Sequence, residues 1–468
     1  MRRCWIALVL FPFFGCGGSL TGPTPGSPGP PPSSHGRLPL IASANHRYLV
    51  DQNGSPTLLV GDTAHSLFVN LDPAGLATYL ADRRSRGFNI LWVQSLCSDY
   101  LANCRSDMST FDGLKPFVSG TNQTNYDIST PNLDYWSRVD SYIKTAETYG
   151  ITILLDTWET GALMPLARSS GNIKMRNFGI FLANRYKHVP NLLWITGNDF
   201  QSWRNSSDNT LIQNLMAGIA SIDSRHLQTT ELDYFASGSL DDSLLVPYIG
   251  LAGAYNYFCS YAETLAQYNH PVTVPVFFLE GYYEYNTSVQ GNTTTALSLR
   301  TQQWWAALSG ATAGQVRGSA RVHPFFAGWQ DYLNTESVRQ FDYQRKFLQS
   351  IPWYDLVPDR NHTLVTAGYG ILDTSDNPDC INSNNFVATS YLEDGTASVS
   401  YAPKNALLSV DLSRFSGPVT ARWYDPSDDT YSDISGSPFN NTGSQNFASP
   451  GNNTAGDQDW VLLLTASR

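Results

Sequence analysis

From residue 56 to about residue 350, short apolar runs alternate with longer amphipathic stretches. The runs are rich in branched and aromatic side chains, as buried strands are, and the stretches between them carry helical spacing. "PTLLVGDT" leads into "DPAGLATYLADRRSRG", where Asp72 is placed to cap a helix and Pro73 to occupy its first position. "FNILWVQS" precedes "LDYWSRVDSYIKTAETYG", "ITILLDTW" precedes "NIKMRNFGIFLANRYKHV", and "LLWITGND" precedes "NTLIQNLMAGIASID". "LQTTEL" is a weaker fifth strand; "YIGLAGAYNY", "VPVFFLEG" and "AGQVRG" supply the sixth, seventh and eighth. Eight strand–helix units predict an α/β chain whose strands close into a (β/α)8 TIM barrel over residues 39–355. A doubly wound open sheet competes, weakened because no Gly-rich phosphate turn follows the first strand. Past residue 355 the pattern shortens to alternating runs with turns such as Glu393-Asp394-Gly395, which predicts a small antiparallel β-sandwich over 356–468.

Composition narrows the partners. The 42% hydrophobic content supports a large core, and 13% aromatic suits either sugar stacking or that core. A formal charge of −11, with no run of basic residues, argues against a nucleic-acid partner. The opening "MRRCWIALVLFPFFGCGGSL" follows the order of a secretory signal over residues 1–18, and its apolar stretch is too short to span a bilayer stably. "FFGC" resembles a bacterial lipobox, with Phe13 where an aliphatic residue is usual. Cys16 would then carry a lipid and attach an exported protein to a membrane; plain secretion is the alternative. A Pro/Gly/Ser-rich spacer fills residues 19–38. Of the remaining cysteines, Cys97 and Cys104 are expected to pair, whereas Cys259 and Cys380 are left either free or paired. None has zinc-ligand spacing, and no metal or cofactor is expected. "DTSDNPD" at 373–379 matches only part of a calcium loop and reads as a solvated acidic loop.

In such a barrel the chemistry sits where the strands end. The first strand ends on Asp62, the second on Gln94 and Ser95, and the third on Asp156 and Trp158. The fourth ends on Asn198 and Asp199, the sixth on Tyr255 and Asn256, and the seventh on Glu280. No Gly-x-Ser-x-Gly elbow, His-Glu-x-x-His helix or P-loop occurs. Carboxylates, amides and aromatics remain, which is the equipment of glycoside hydrolysis: one carboxyl protonates the leaving oxygen, and another attacks the anomeric carbon or activates water. Strands four and seven lie across the barrel mouth, so Asp199 and Glu280 could flank a bond, with Asn198 on a sugar hydroxyl. Taken alone, an Asp after a strand is more often a cap or loop residue. Trp158 and Trp329 are candidate stacking platforms near strand ends; Trp203 is a further one. Trp304 and Trp305 lie in the seventh helix and read as core.

Several stretches then carry a resemblance: "LLVGDTAHSLF", "GFNILWVQ", "RVDSYIKTAETYGITILLDTW", "WITGND", "LEGYYE", "QQWWAALSGATAG" and "GW" at 328–329. In this order they resemble the apiosidase-like glycoside hydrolases over residues 39–355. The tail "VATSYLEDGTASVSYAP" with "VTARWYDPSDDTY" looks like the collagen-binding-type β-domain that commonly follows. The resemblance implies a retaining enzyme, with Asp199 as acid/base and Glu280 as nucleophile. It also implies Asp62 in the pocket, Glu284 as a second-tier candidate, and apiose or another pentofuranose on pectic glycans as substrate. The chain departs from the family pattern at His65, where Trp is usual, and after His226, where "LQTTELDYF" lacks the expected His. Both departures are expected near the sugar-binding surface.

The expectation is therefore an exported retaining glycosidase acting on an oligosaccharide or polysaccharide, taking a side-chain sugar from its end. Its rivals are a non-catalytic surface glycan-binding lipoprotein on a degenerate barrel, and an adhesin working through the C-terminal domain. For that domain, packing against the barrel is the simpler role.

Overall fold

The alternating runs form a sheet of parallel strands. The computed structural model describes residues 39–233, 236–286, 294–375 and 377–466. The signal and spacer read from residues 1–38, with Cys4 and Cys16, lie outside the described residues. The parallel strands are β1 (Leu59–Thr63), β2 (Ile90–Gln94), β3 (Thr152–Glu159), β4 (Leu192–Phe200), β5 (Gln228–Leu232), β6 (Ala252–Asn256), β7 (Val276–Glu280) and β8 (Gly314–Ser319). They pair in the order β5-β4-β3-β2-β1-β8-β7-β6, each pair parallel. Between β5 and β6 the ladder is replaced by one parallel bridge, Gln228 to Ile249, and by a short strand, Ala236–Gly238, antiparallel to β6. Ser239 stitches this seam, its hydroxyl donating to the Thr230 carbonyl (2.5 Å) and accepting from the Gly253 N–H (2.8 Å). The sheet is thus a nearly closed barrel.

Seven long helices cover it: α1 (Pro73–Ser85), α2 (Leu133–Thr148), α3 (Thr160–Tyr186), α4 (Ser206–Ala220), α5 (Ser260–Tyr268), α6 (Ala296–Leu308) and α7 (Glu336–Gln349). Asp72 caps α1 as its position predicts, accepting from the Gly75 N–H at 2.7 Å with Pro73 at the first helical position. α3 is two helical pieces joined at Gly171, whose φ of 74° breaks the helix. After β5 the described residues carry a 3-10 turn, Val246–Tyr248, where the repeat predicts a helix. Among the described residues no helix is long and apolar enough to cross a membrane.

Side-chain alternation sorts the barrel into two cores. Leu59, Trp92, Leu154, Ile195, Phe277 and Val316 fill the interior. Their strand neighbours Leu91, Val93, Leu155, Trp194 and Phe278 pack outward against the helices. The C-terminal part adds strands β9 (Leu356–Pro358), β10 (Val365–Ala367), β11 (Ala388–Leu392), β12 (Ala397–Ala402), β13 (Leu407–Asp411), β14 (Val419–Asp425), β15 (Thr430–Asp433), β16 (Ser444–Ala448) and β17 (Trp460–Ala466). They form two antiparallel sheets, β9-β11-β12-β17-β14-β15 and β10-β13-β16, sharing a core of Val410, Trp423, Phe447 and Leu462. The outer face of the larger sheet packs on α6 and α7, where Tyr401, Tyr424 and Val461 meet Trp304, Trp305 and Phe347. Both tryptophans are core residues, as their helical position predicts. Cys97 and Cys104 are bonded, and so are Cys259 and Cys380, a pairing that sequence spacing left open.

Candidate active site

The strands lose their regular register where the acids sit. Along β3 and β4, Asp156 faces Ile195 but Glu159 faces Gly197, so one strand carries an extra residue. Along β4 and β5, Thr196 faces Thr230 and Phe200 faces Leu232, which leaves Gly197, Asn198 and Asp199 opposite Glu231 alone. Along β6 and β7, Ala254 faces Phe278 and Tyr255 faces Glu280, so Leu279 is the extra residue. A bulge bends a strand and re-aims the side chains beyond it. Here the looped-out residues have φ of 131°, 79° and 59° at Gly197, Asn198 and Asp199.

These breaks gather four carboxyls. Asp199 accepts hydrogen bonds from the hydroxyls of Tyr100 (2.6 Å) and Tyr255 (3.1 Å). Burial raises its pKa, and the two tyrosines pull it back down. Glu280 accepts from Tyr257 (2.5 Å) and Tyr283 (2.8 Å). Burial, then the charge of Asp199, pushes its pKa up to about 8. Glu231 accepts from Asn198 Nδ2 and the Asp199 N–H, both at 3.2 Å; burial, then Glu280 and Asp199, holds it well above the carboxylate range. Glu159 accepts from Ser98 Oγ (2.5 Å) and caps α3 through the Ala162 N–H (3.0 Å); burial raises it to about 7. A cleft of about 620 Å³ opens above them, lined by Tyr100, Thr160, Arg204, Asp199, Tyr255 and Tyr257. Acids whose proton affinities are raised by burial beside a cleft are suited to proton transfer and nucleophilic attack.

The family model described as "Apiosidase-like, catalytic domain" matches residues 43–355. The chain belongs to that family. It is accordingly a glycoside hydrolase. A second model, "Putative collagen-binding domain of a collagenase", matches residues 381–465 of this apiosidase-like protein. Among solved structures it is similar to a glycoside hydrolase family 5 protein from Bacteroides vulgatus, with 21% identity, 92% of each chain covered and a TM-score of 0.75. A structure named only as a glycoside hydrolase gives 21% identity, 92% of this chain and 97% of the other covered, and a TM-score of 0.74. At such identity these likenesses speak for the fold alone. No curated protein matches the sequence.

Of the residues singled out from the sequence of this apiosidase-like enzyme, Asp199, Glu280, Asn198, Tyr255 and Gln94 come together. Gln94 donates to Asn198 Oδ1 (2.8 Å) and so acts from beneath the cleft. Asp156 is buried below it, accepting from the Trp158 N–H (3.1 Å), with its pKa raised by burial. The others sit elsewhere. Asp62 shares the outward side of β1 with Val60 and is fully buried against α1, paired with Arg83 (2.8 Å) and bonded by Tyr79 (3.0 Å). Glu284 is held by Arg317 (2.7 Å) and Thr335 (3.0 Å). Trp158 lies outside the barrel, edge-on to Phe178, and Trp329 packs on Tyr79 and Phe325. Asn256 turns its side-chain Oδ1 to the Phe258 N–H (2.6 Å) and lines a separate cavity beside α5. His65 is buried, with Nε2 3.1 Å from the Tyr283 hydroxyl, so it stands behind Glu280 instead of on the sugar surface. Sequence reasoning passed over Glu231, Glu159, Tyr100 and Tyr257; only the strand-end positions of Glu159 and Glu231 could have flagged any of them.

Proposed function

We propose that this glycoside hydrolase is a retaining enzyme that removes apiose or another pentofuranose from the ends of pectic side chains. In this reading the sheet is a (β/α)8 barrel over residues 39–355, with the β-sandwich of 356–468 as its packing partner. Asp199 protonates the leaving oxygen and later activates water, while Glu280 attacks the anomeric carbon. One observation carries the reading: Tyr255 joins the two acids, donating to Asp199 and standing opposite Glu280 in the β6–β7 register. The raised proton affinity of Asp199 suits an acid; that of Glu280 is raised as well, to about 8, and its tyrosines pull it back toward the carboxylate a nucleophile needs. Trp203, exposed at the rim beside Arg204, offers a face for a further sugar ring. The opening 38 residues are taken as signal and spacer, with lipidation of Cys16 as the route of membrane attachment.

Digestion of a panel of pectic and hemicellulosic glycans with wild type, Asp199→Ala and Glu280→Ala tests the assignment. Wild type should release one sugar, initially as the retained anomer, and each substitution should slow release by about 10²–10⁴-fold. Release of the inverted anomer would overturn retention. Release that survives either change would remove that residue from the mechanism.

A further inference from the structure

Glu231 has no place in a two-carboxylate mechanism, yet it is the residue around which the candidate acid/base is built. We propose that Glu231 is a positioning residue, acting through the looped-out Gly197-Asn198-Asp199 segment to hold the carboxyl of Asp199 at the cleft. The inference rests on the reading of Asp199 as acid/base.

Three residues on β4 are accommodated opposite this one residue of β5. All three are in positive-φ conformations, which an Asn and an Asp keep only where their surroundings hold them. Glu231 supplies that hold twice, since its Oε2 accepts from the side-chain amide of Asn198 and from the backbone N–H of Asp199. Gln94 and Thr160 complete the clamp, Gln94 on the Asn198 side chain (2.8 Å) and Thr160 on its carbonyl (2.7 Å). A Cβ on Gly197 would meet the Glu231 carbonyl at 2.2 Å, so the segment lies directly on the β5 backbone.

The charge state is set by the groups facing the carboxyl. Asp199 on β4 and Glu280 on β7 act on it as like charges, and Tyr255 on β6 and Tyr283 beyond β7 also interact with it. Among the described residues no Lys, Arg or His pairs with it, and its Oε1 makes no hydrogen bond to the protein. A 1% exposed acid in that setting holds its proton more tightly than a free carboxyl does. In its protonated form Oε2 is the carbonyl that accepts both N–H groups, leaving Oε1 to carry the hydrogen. A glutamine would reproduce the acceptor without the titration; an alanine would remove both.

The test compares Glu231→Gln with Glu231→Ala in two readouts. On the sugar substrate, Ala should lower kcat by up to about 100-fold with KM changed little, as expected of a misplaced acid, and Gln should restore most of it. Unchanged kcat in Ala, or Gln as damaged as Ala, would overturn the proposal. Carbon-13 NMR titration of the side-chain carboxyls needs no substrate. Here Gln should remove one carboxyl step that lies above the ordinary glutamate range and leave the Asp199 midpoint in place, whereas Ala should displace it. An Asp199 midpoint indifferent to Ala would overturn the positioning role even if the enzyme proved active on no glycan in the panel. Conversely, a displaced midpoint without sugar release would sustain the role and count against the glycosidase assignment of Asp199.

Discussion

Burial, and then the charge of Asp199, raises the proton affinity of Glu280. Asp199→Asn removes that charge, so the Glu280 midpoint should fall from about 8 while staying above the ordinary value of 4.5, since burial remains. Carboxyl NMR titration reads this directly, and an unmoved midpoint would mean the two acids are not neighbours. Glu159 gives a stability test. Its folded value, about 7, lies above its ordinary value of 4.5. The stabilisation it contributes is therefore complete below pH 4.5 and is lost as pH rises through 7. Glu159→Gln should gain on wild type from pH 5 to pH 8, by at most roughly 3 kcal/mol. Urea unfolding at the two pH values checks it; an equal difference at both would defeat the claim. Asp199 and Glu280 could be picked out in the sequence because each follows an apolar run. Tyr100 could not, since it reaches Asp199 on a loop 99 residues away in sequence. Asp62 looked the same as they did, and only its outward side separates it.

At the scale of elements, that difference lies in the bulges. Period-two alternation tells inside from outside only while the register holds, and it holds along β1, sending Asp62 to the helices with Val60. It fails on β3, β4 and β7, beside Glu159, Asp199 and Glu280. A bulge leaves almost no mark in a single sequence apart from a glycine such as Gly197. The capped helices and apolar runs were plain for the opposite reason, because local chemistry sets them. Two glycines make a matched test of the bulge. Gly197→Ala meets the Glu231 carbonyl and keeps a φ of 131°, so it should cost at least about 1–3 kcal/mol and lower kcat. Gly171→Ala, at φ 74° with open space around it, should cost about 1–2 kcal/mol and leave kcat unchanged. Equal effects on kcat would detach the bulge from the site.

Across the whole molecule, the β-sandwich closes the barrel's outer layer. Arg300 of α6 is buried and paired with Asp459 through two contacts of 2.7 Å, with Gln340 and Asp457 accepting two further hydrogen bonds. Trp304 stacks on Tyr401, and the Trp305 N–H donates to the Phe386 carbonyl (2.9 Å). Asp459→Ala should cost about 3–5 kcal/mol, because it strands a buried guanidinium. The Cys259–Cys380 bond closes a separation of 121 residues, and replacing both by serine should cost about 3–5 kcal/mol. Thermal and urea unfolding measure both, and a neutral result for either would show the two parts to be only loosely docked. The switch from strand–helix units to antiparallel strands was legible from the change of period near residue 355, but the docked face was not, since burying Trp304 and Trp305 among helices or against a sheet leaves the same pattern. One arrangement bears on how the protein is made. β17 is the last strand among the described residues and lies in the middle of its sheet, just after Asp459. While a ribosome is still upstream of that point, α6 has no counter-ion and the sheet has a missing central strand. A polypeptide interrupted between β15 and residue 459 therefore shows proteases that raw surface, so this strand certifies that the message was read that far.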